Sequence, residues 1–312
     1  MNGSPGGAST PRLAAVPVVP NALPSTFAFA SPPLNAPAPP LHPADSAARS
    51  GTQPSGLRAT LRVVRLFRLI RLALHLLQGV LTLLIVYPWS LPRRRRALKQ
   101  RWAKQLLAML GFVLDVRLAE GAVLPPSGLI VANHVSWIDI YALNATTPVA
   151  FVSKAEVRQW PVIGWLAAHT DTIFLRRGSR GHAKVVNGEI DATMSTGTHV
   201  ALFPEGTTTD GTHLLHFHGA LLQPAVESGQ PVIPVAISYH EADGRPSLAP
   251  AYAGDTTMGQ CLAAILTRRT LIARVQILPP LSTGADSPYA DRRTLARTAH
   301  AQIAAALGFT PD

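Results

Sequence analysis

Two regimes of apolar patterning divide the chain. From about residue 113 onward, short apolar runs alternate with longer stretches whose apolar residues recur every three or four positions. Short runs bounded by Gly, Pro and polar residues predict buried strands; the periodic stretches predict helices with one buried face. Strands are expected at 113–118, 129–132, 149–153, 172–175, 200–203, 232–239 and 273–278. Helices are expected near 138–144, 162–168, 182–194, 219–227, 258–269 and 292–307. Such alternation builds an α/β domain, a mostly parallel sheet flanked by helices, over residues 113–312.

Before that domain the pattern is different. Arg58, Arg62, Arg65, Arg68 and Arg71 recur every three or four residues, interleaved with Leu61, Val64, Leu66, Leu69 and Ile70. This predicts a basic amphipathic helix. Residues 72–89 then run 18 positions without a formal charge; as a helix they would measure about 27 Å, just short of a hydrocarbon core of roughly 30 Å. Arg93, Arg94, Arg95 and Arg96 follow, and then a second amphipathic pattern through Leu98, Trp102, Leu106 and Leu110. Residues 58–112 therefore read as a basic helical membrane anchor. A spanning helix usually carries its cationic bias on one side, and here arginines flank both. A hairpin lying in an anionic leaflet and a single span are both open readings. A nucleic-acid-binding arm fits less well, because the arginines accompany a long apolar segment rather than aromatic stacking positions.

Residues 1–57 hold 12 of the 28 prolines among Ala, Ser and Gly, with almost no charge and no apolar period. Such a segment cannot bury enough surface to offset chain entropy, so a disordered tail is expected. It lacks the basic start and apolar core of a secretory signal.

Charge sharpens the picture. Lys and Arg total 28 against 17 acidic residues, a formal charge of +11, with a sequence pI near 10.8. That balance suits an anionic partner such as a membrane surface or an acidic substrate. Cys261 is the single cysteine, which excludes an intrachain disulfide and a cysteine-rich metal site. The nucleotide-binding glycine loops, the H-E-x-x-H zinc pattern and the G-x-S-x-G elbow are all missing.

Candidate chemistry gathers where strands end. The run 128–132 leads into Asn133, His134, Val135, Ser136, Trp137, Ile138 and Asp139, so His134 sits at a strand-to-helix junction. Residues five apart do not share a helix face. His134 and Asp139 can meet only if the histidine precedes the helix and turns back over its first turn. A carboxylate there would fix the imidazole tautomer. Lys154, Arg176 and Arg177 emerge just past two apolar strands, placed to meet an anionic group or to form a solvated edge. After strand 200–203, Pro204, Glu205, Gly206, Thr207 and Thr208 put a carboxylate on a tight glycine turn. His213, His216 and His218 match no standard zinc spacing.

Taken together, in order and spacing, these stretches resemble the PlsC-type lysophospholipid acyltransferase family. N-H-x-x-x-x-D is Asn133, His134 and Asp139; the I-F-I-x-R region is Ile173, Phe174, Leu175 and Arg177; F-P-E-G-T is Phe203 to Thr207; V-I-P-V is Val232 to Val235. The resemblance implies acyl transfer from an acyl carrier protein or coenzyme A thioester to a lysolipid hydroxyl at the cytoplasmic face of the inner membrane. It implies no cofactor, metal or nucleic acid. His134 would be the general base and Asp139 its partner. Lys154, Arg177, Phe203, Pro204, Glu205, Gly206, Thr207 and Thr208 would contact substrate, with Ser136 a bystander. Two positions depart from the pattern. Thr208 stands where phosphate-binding members carry arginine, and Asp171 where they carry glycine. The F-P-E-G-T-T form resembles the subset that acylates lyso-ornithine lipid, whose acceptor has no phosphate. Phosphatidic acid formation is the alternative, and a non-catalytic membrane binder of the same fold the rival from another class.

Overall fold

The structure, a computed structural model, describes residues 55–176, 180–284, 286–289 and 291–309, with side chains from Leu66 onward and, after residue 176, from Lys184. The expected tail through residue 54, the side chains of Arg58, Arg62 and Arg65, and Arg177 lie outside the described residues.

The basic pattern and the apolar run form one continuous helix. Helix α1 (Ser55–Leu81) runs directly into a π-helical turn, Thr82–Val86. Within it Leu66–Val86, 21 residues, is long and apolar enough by length and composition to cross a membrane. The chain reverses at 87–91, and Pro92, at a first-turn position where its missing N–H leaves no bond unmade, opens α2 (Pro92–Leu110). The two helices are clasped reciprocally. Trp102 Nε1 donates to the His75 carbonyl at 3.1 Å, His75 Nε2 lies 3.1 Å from the Trp102 carbonyl, and the rings stack 4.8 Å apart. Gly79 permits this approach, since a Cβ there would fall 2.9 Å from the indole nitrogen.

β1 (Phe112–Leu118) and β2 (Leu129–Ala132) follow, then α3 (Ile138–Thr146), β3 (Val149–Lys154), α4 (Ile163–Ala168), β4 (Ile173–Leu175), α5 (Arg180–Ser195), β5 (His199–Leu202), α6 (Gln223–Ser228), β6 (Val232–Glu241), α7 (Met258–Thr267), β7 (Leu271–Ile277) and α8 (Arg292–Leu307). The sheet order is β1-β7-β6-β2-β5-β3-β4. Neighbours run parallel except β6 and β7, which are antiparallel. β2 and β5 are buried along their whole length, as strands covered on both faces must be. One face packs against α2, α3 and α7 through Leu106, Ile138 and Ile265. The other packs against α5, α6 and α8 through Ile190, Ala225 and Leu295. α2, expected as the second half of the anchor, thus also forms part of the core: Ala103, Leu106, Leu107 and Leu110 are all buried in it.

Asp171, the residue in the glycine position, adopts a left-handed backbone, φ +62°. Asp and Asn tolerate that region better than other non-glycine residues. Its carboxylate lies 3.1 Å from the buried ammonium of Lys99, which also donates to the Val149 and Thr170 carbonyls. Burial pulls the Lys99 ammonium below the ordinary lysine range, and Asp171 opposes that pull. Asp171→Asn should keep the backbone and remove the counter-charge. Because the Asp171 side chain is 60 % exposed, the expected cost is only about 1 kcal/mol, or a melting temperature lower by about 2–4 °C. An unchanged melting curve would show that the two carbonyls suffice.

Candidate active site

Three adjacent strands deliver the site. β2 lies between β5 and β6, and all three run the same way. Beyond Ala132 the backbone leaves the sheet, but the Asn133 side chain continues the ladder. Its Nδ2 donates to the Ile237 carbonyl at 2.9 Å and its Oδ1 accepts from the Ile237 N–H at 2.7 Å. The next residue, His134, is thereby fixed in the gap before α3.

Asp139 occupies the first turn of α3 and reaches back. Its Oδ2 accepts from the Val135 N–H at 2.8 Å and the Ser136 N–H at 2.9 Å, and it lies 2.8 Å from His134 Nδ1. Its Oδ1 accepts from the Tyr239 hydroxyl of β6. Four donors on one wholly buried carboxylate compensate its desolvation, and the start of a helix is where a negative charge is best placed. A carboxylate only accepts, so Nδ1 carries the proton and Nε2 is left with a free lone pair. The His134 side chain keeps 20 % of its surface exposed, while Asp139 keeps none. The histidine does precede the helix, as the five-residue spacing demanded.

Glu205 arrives from β5 and also acts on His134, through the backbone. Its Oε1 accepts from the His134 N–H at 2.7 Å and its Oε2 from the Leu215 N–H at 2.9 Å. Burial pushes this carboxyl above its ordinary value, and the two N–H donors pull it partway back. Phe203 lays its ring flat on the imidazole, centroids 3.9 Å apart, and Phe151 lies 6.0 Å beyond Phe203. Gly206, at φ +70°, makes the turn that an L side chain would resist.

The remaining sequence candidates divide. Pro204 is buried and its carbonyl accepts from the His218 N–H at 2.9 Å, whereas Thr207 is exposed on the turn. The Thr208 hydroxyl donates to the Tyr252 carbonyl, so it braces that loop. Lys154 is exposed at the end of β3, on the same sheet edge as the histidine. Ser136 is fully buried, its hydroxyl accepting from the Ile138 N–H at 3.3 Å. His213 sits 3.4 Å from Asp210, and His216 and His218 meet edge to face. Among the described residues no group of His, Cys, Asp and Glu is arranged to hold a metal.

Sequence reasoning missed Tyr239. Burial and the Asp139 carboxylate hold its phenol well above the ordinary value, so it stays a donor. Its one signal was a tyrosine near the end of an otherwise apolar strand.

A cavity of about 340 Å³ opens beside the site. Phe151, at the end of the ring stack, contributes to its wall, with Trp102, Ile140, Tyr141, Ile163 and Leu166 around it and Gln78, Gly79, Thr82 and Leu83 of the α1 region on one side.

Residues 116–238 match the family model described as Acyltransferase. A lyso-ornithine lipid O-acyltransferase from Pseudomonas aeruginosa is 39% identical over 251 residues, covering 80% of this chain and 94% of that protein. A 1-acyl-sn-glycerol-3-phosphate acyltransferase from Neisseria meningitidis is 38% identical over 168 residues, 53% of this chain and 66% of that protein. Among solved structures, the 1-acyl-sn-glycerophosphate acyltransferase PlsC from Thermotoga maritima superposes with a TM-score of 0.55 at 20% identity, over 82% of this chain and 99% of that one.

Proposed function

The chain belongs to the PlsC-type acyltransferase family and is an acyltransferase; on that premise we propose that it moves a fatty acyl group from a thioester to the hydroxyl of lyso-ornithine lipid, with His134 as general base. The observation that carries the mechanism is the 2.8 Å contact between His134 Nδ1 and Asp139, which leaves Nε2 as the proton acceptor. Nε2 takes the acceptor's hydroxyl proton as that oxygen attacks the thioester carbonyl. The C–S bond then breaks, and the departing thiolate takes the proton from the imidazolium. Asp139 stabilises that imidazolium, and Glu205 fixes the backbone carrying it. Lys154 and the F-P-E-G-T turn line the approach of the substrates. The donor is an acyl carrier protein or coenzyme A thioester, since either brings a carbonyl already activated and needs neither metal nor cofactor. The apolar cavity beside Phe151 suits an acyl chain.

Thr208 supports the choice of acceptor. Its hydroxyl is engaged with Tyr252, and no guanidinium stands there for a charge-assisted grip on phosphate. Lys154 and Arg176, both exposed, favour a second reading in which they hold a phosphate and the product is phosphatidic acid. Purified full-length enzyme with an acyl-carrier-protein thioester should acylate lyso-ornithine lipid faster than lysophosphatidate; the reverse order would end the first reading.

Tyr239→Phe is nearly isosteric and removes one donor from Asp139. The expected result is a fall of about 3- to 10-fold in kcat, the size of one buried hydrogen bond, with KM little changed and the acidic limb of the pH–rate profile displaced. A loss of activity without that displacement would assign Tyr239 to packing alone.

The outward face of α1 suits a lipid leaflet. Leu74, Leu77 and Leu81 are exposed there, as are Leu84 and Ile85 in the π-helical turn that continues it, and arginines stand at both ends of the apolar run. With α2 packed into the core, α1 lying in the cytoplasmic leaflet would hold the site where lysolipids reside.

A further inference from the structure

We propose that the turn formed by Trp160, Pro161 and Val162 is a second bilayer contact, facing α1 across the mouth of the cavity. This rests on the reading of α1 as a leaflet-bound helix. The turn follows a 3-10 segment, Ala155–Gln159, and precedes α4. Val162 sits at φ 60° and ψ −57°, and the Ile163 N–H reaches the Pro161 carbonyl at 2.6 Å, a γ-turn. A β-branched residue is rarely held in that region. The turn closes onto α4, with the Gly164 N–H donating to the Trp160 carbonyl at 2.9 Å and the Leu166 N–H to the Val162 carbonyl at 2.8 Å. Trp160 is 41 % and Val162 47 % exposed on this turn.

Position gives this exposure a meaning. Val157, Ile163 and Leu166, on either side of the turn, line the cavity, and Gly79 of α1 with Leu83 of the π-helical turn line it from elsewhere. Leu81 at the end of α1, and Leu84 and Ile85 in the π-helical turn that follows it, are exposed as well. The cavity is thus flanked by two elements that both present apolar groups to the outside. Cations accompany the turn. Arg158 is exposed with its guanidinium 5.6 Å from the Phe174 ring, and Lys154 and Arg176 are exposed at the ends of β3 and β4. An indole with neighbouring cations matches the headgroup boundary of an anionic leaflet, where tryptophan anchors and arginine finds phosphate. The charge and the continuity with α1 select a bilayer as the occupant. A lipid chain would then pass sideways from the leaflet into the cavity, without its apolar length crossing water.

Depth measurement on the full chain tests this. Trp160→Cys is labelled with an environment-sensitive fluorophore; Cys261, 1 % exposed, stays silent. Thr196→Cys, exposed just before β5 at the opposite sheet edge, and Leu81→Cys on α1 serve as references. On phosphatidylethanolamine–phosphatidylglycerol vesicles the label at 160 should shift to the blue. Bromines high on the acyl chains should quench it most, since an interfacial group sits about 5–10 Å deep, while the label at 196 stays in water. A blue shift at 81 with none at 160 would overturn the proposal and leave the leaflet-bound α1 standing. Water-like emission at both would overturn the two together.

Discussion

His134→Ala should abolish acyl transfer while leaving the fold and the vesicle binding intact. General-base catalysis by a positioned side chain is worth about 10²- to 10⁴-fold, and without His134 no other described group is placed to do the same work. Loss of the ring removes a stacking contact with Phe203 at 3.9 Å, worth about 0.5–1.5 kcal/mol beyond its buried area. The backbone anchors remain, because the His134 N–H still meets Glu205 and its carbonyl still accepts from the Thr209 N–H at 2.8 Å. The variant should therefore fold and bind lipid. Asp139→Asn separates charge from position. The amide oxygen can take over the three donors on the Oδ2 side, and the amide nitrogen can donate to the Tyr239 hydroxyl, which also accepts. The tautomer is preserved and only the counter-charge is lost, so its rate should fall less than that of His134→Ala. Measured turnover above about a tenth of wild type for His134→Ala would dismiss the histidine as base. Equal loss in both variants would show that the asparagine fails to hold the tautomer.

The elements around this pair were legible because parallel strands buried on both faces read as unbroken apolar runs. Residues 129–132 are the clearest case, and the observed β2 has the same limits. Boundaries moved where tertiary pairing extends a strand past its apolar stretch. β6 continues to Glu241 because β7 pairs with it through Leu271, and its last residues are only half-buried. The long apolar helix before the domain was legible in composition; its packing was not. The arginines at both ends of the run left a hairpin open as a reading, but nothing in their spacing says that Trp102 enters the notch above Gly79. The meeting of His134, Asp139 and Glu205 was legible because their residue types and order place them just past the ends of neighbouring strands. Tyr239 was hidden because its role depends on β6 lying beside β2, a long-range pairing across 100 residues between Asp139 and Tyr239. The motif puts Thr208 beside Glu205, but that its hydroxyl faces the Tyr252 carbonyl is a direction that sequence cannot give.

Glu205→Gln should damage both stability and rate, although it removes a charge from a buried place. The carboxylate accepts two backbone N–H bonds, one on each oxygen, and a glutamine amide has only one accepting oxygen. Whichever way it is set, an NH₂ group opposes the N–H of either His134 or Leu215. A buried donor left without a partner costs about 1–3 kcal/mol, lowering the melting temperature by about 2–12 °C for a domain of this size. If the displaced group is His134, the imidazole moves with its backbone, and a shift near 1 Å can cost about 100-fold in rate. The pH dependence has a definite sign. Burial raises the Glu205 carboxyl above its ordinary value, so in the pH range between the unfolded and folded values the folded state holds a proton that the unfolded state has released. Wild-type stability from this group is then fully present below the unfolded value and declines as pH rises through the folded one. Glutamine does not titrate, and the other carboxylates are common to both proteins. The stability gap between wild type and Glu205→Gln should therefore narrow as pH rises from acid toward neutrality. A gap that widens over that range would mean that the two N–H bonds outweigh burial and hold the carboxylate charged.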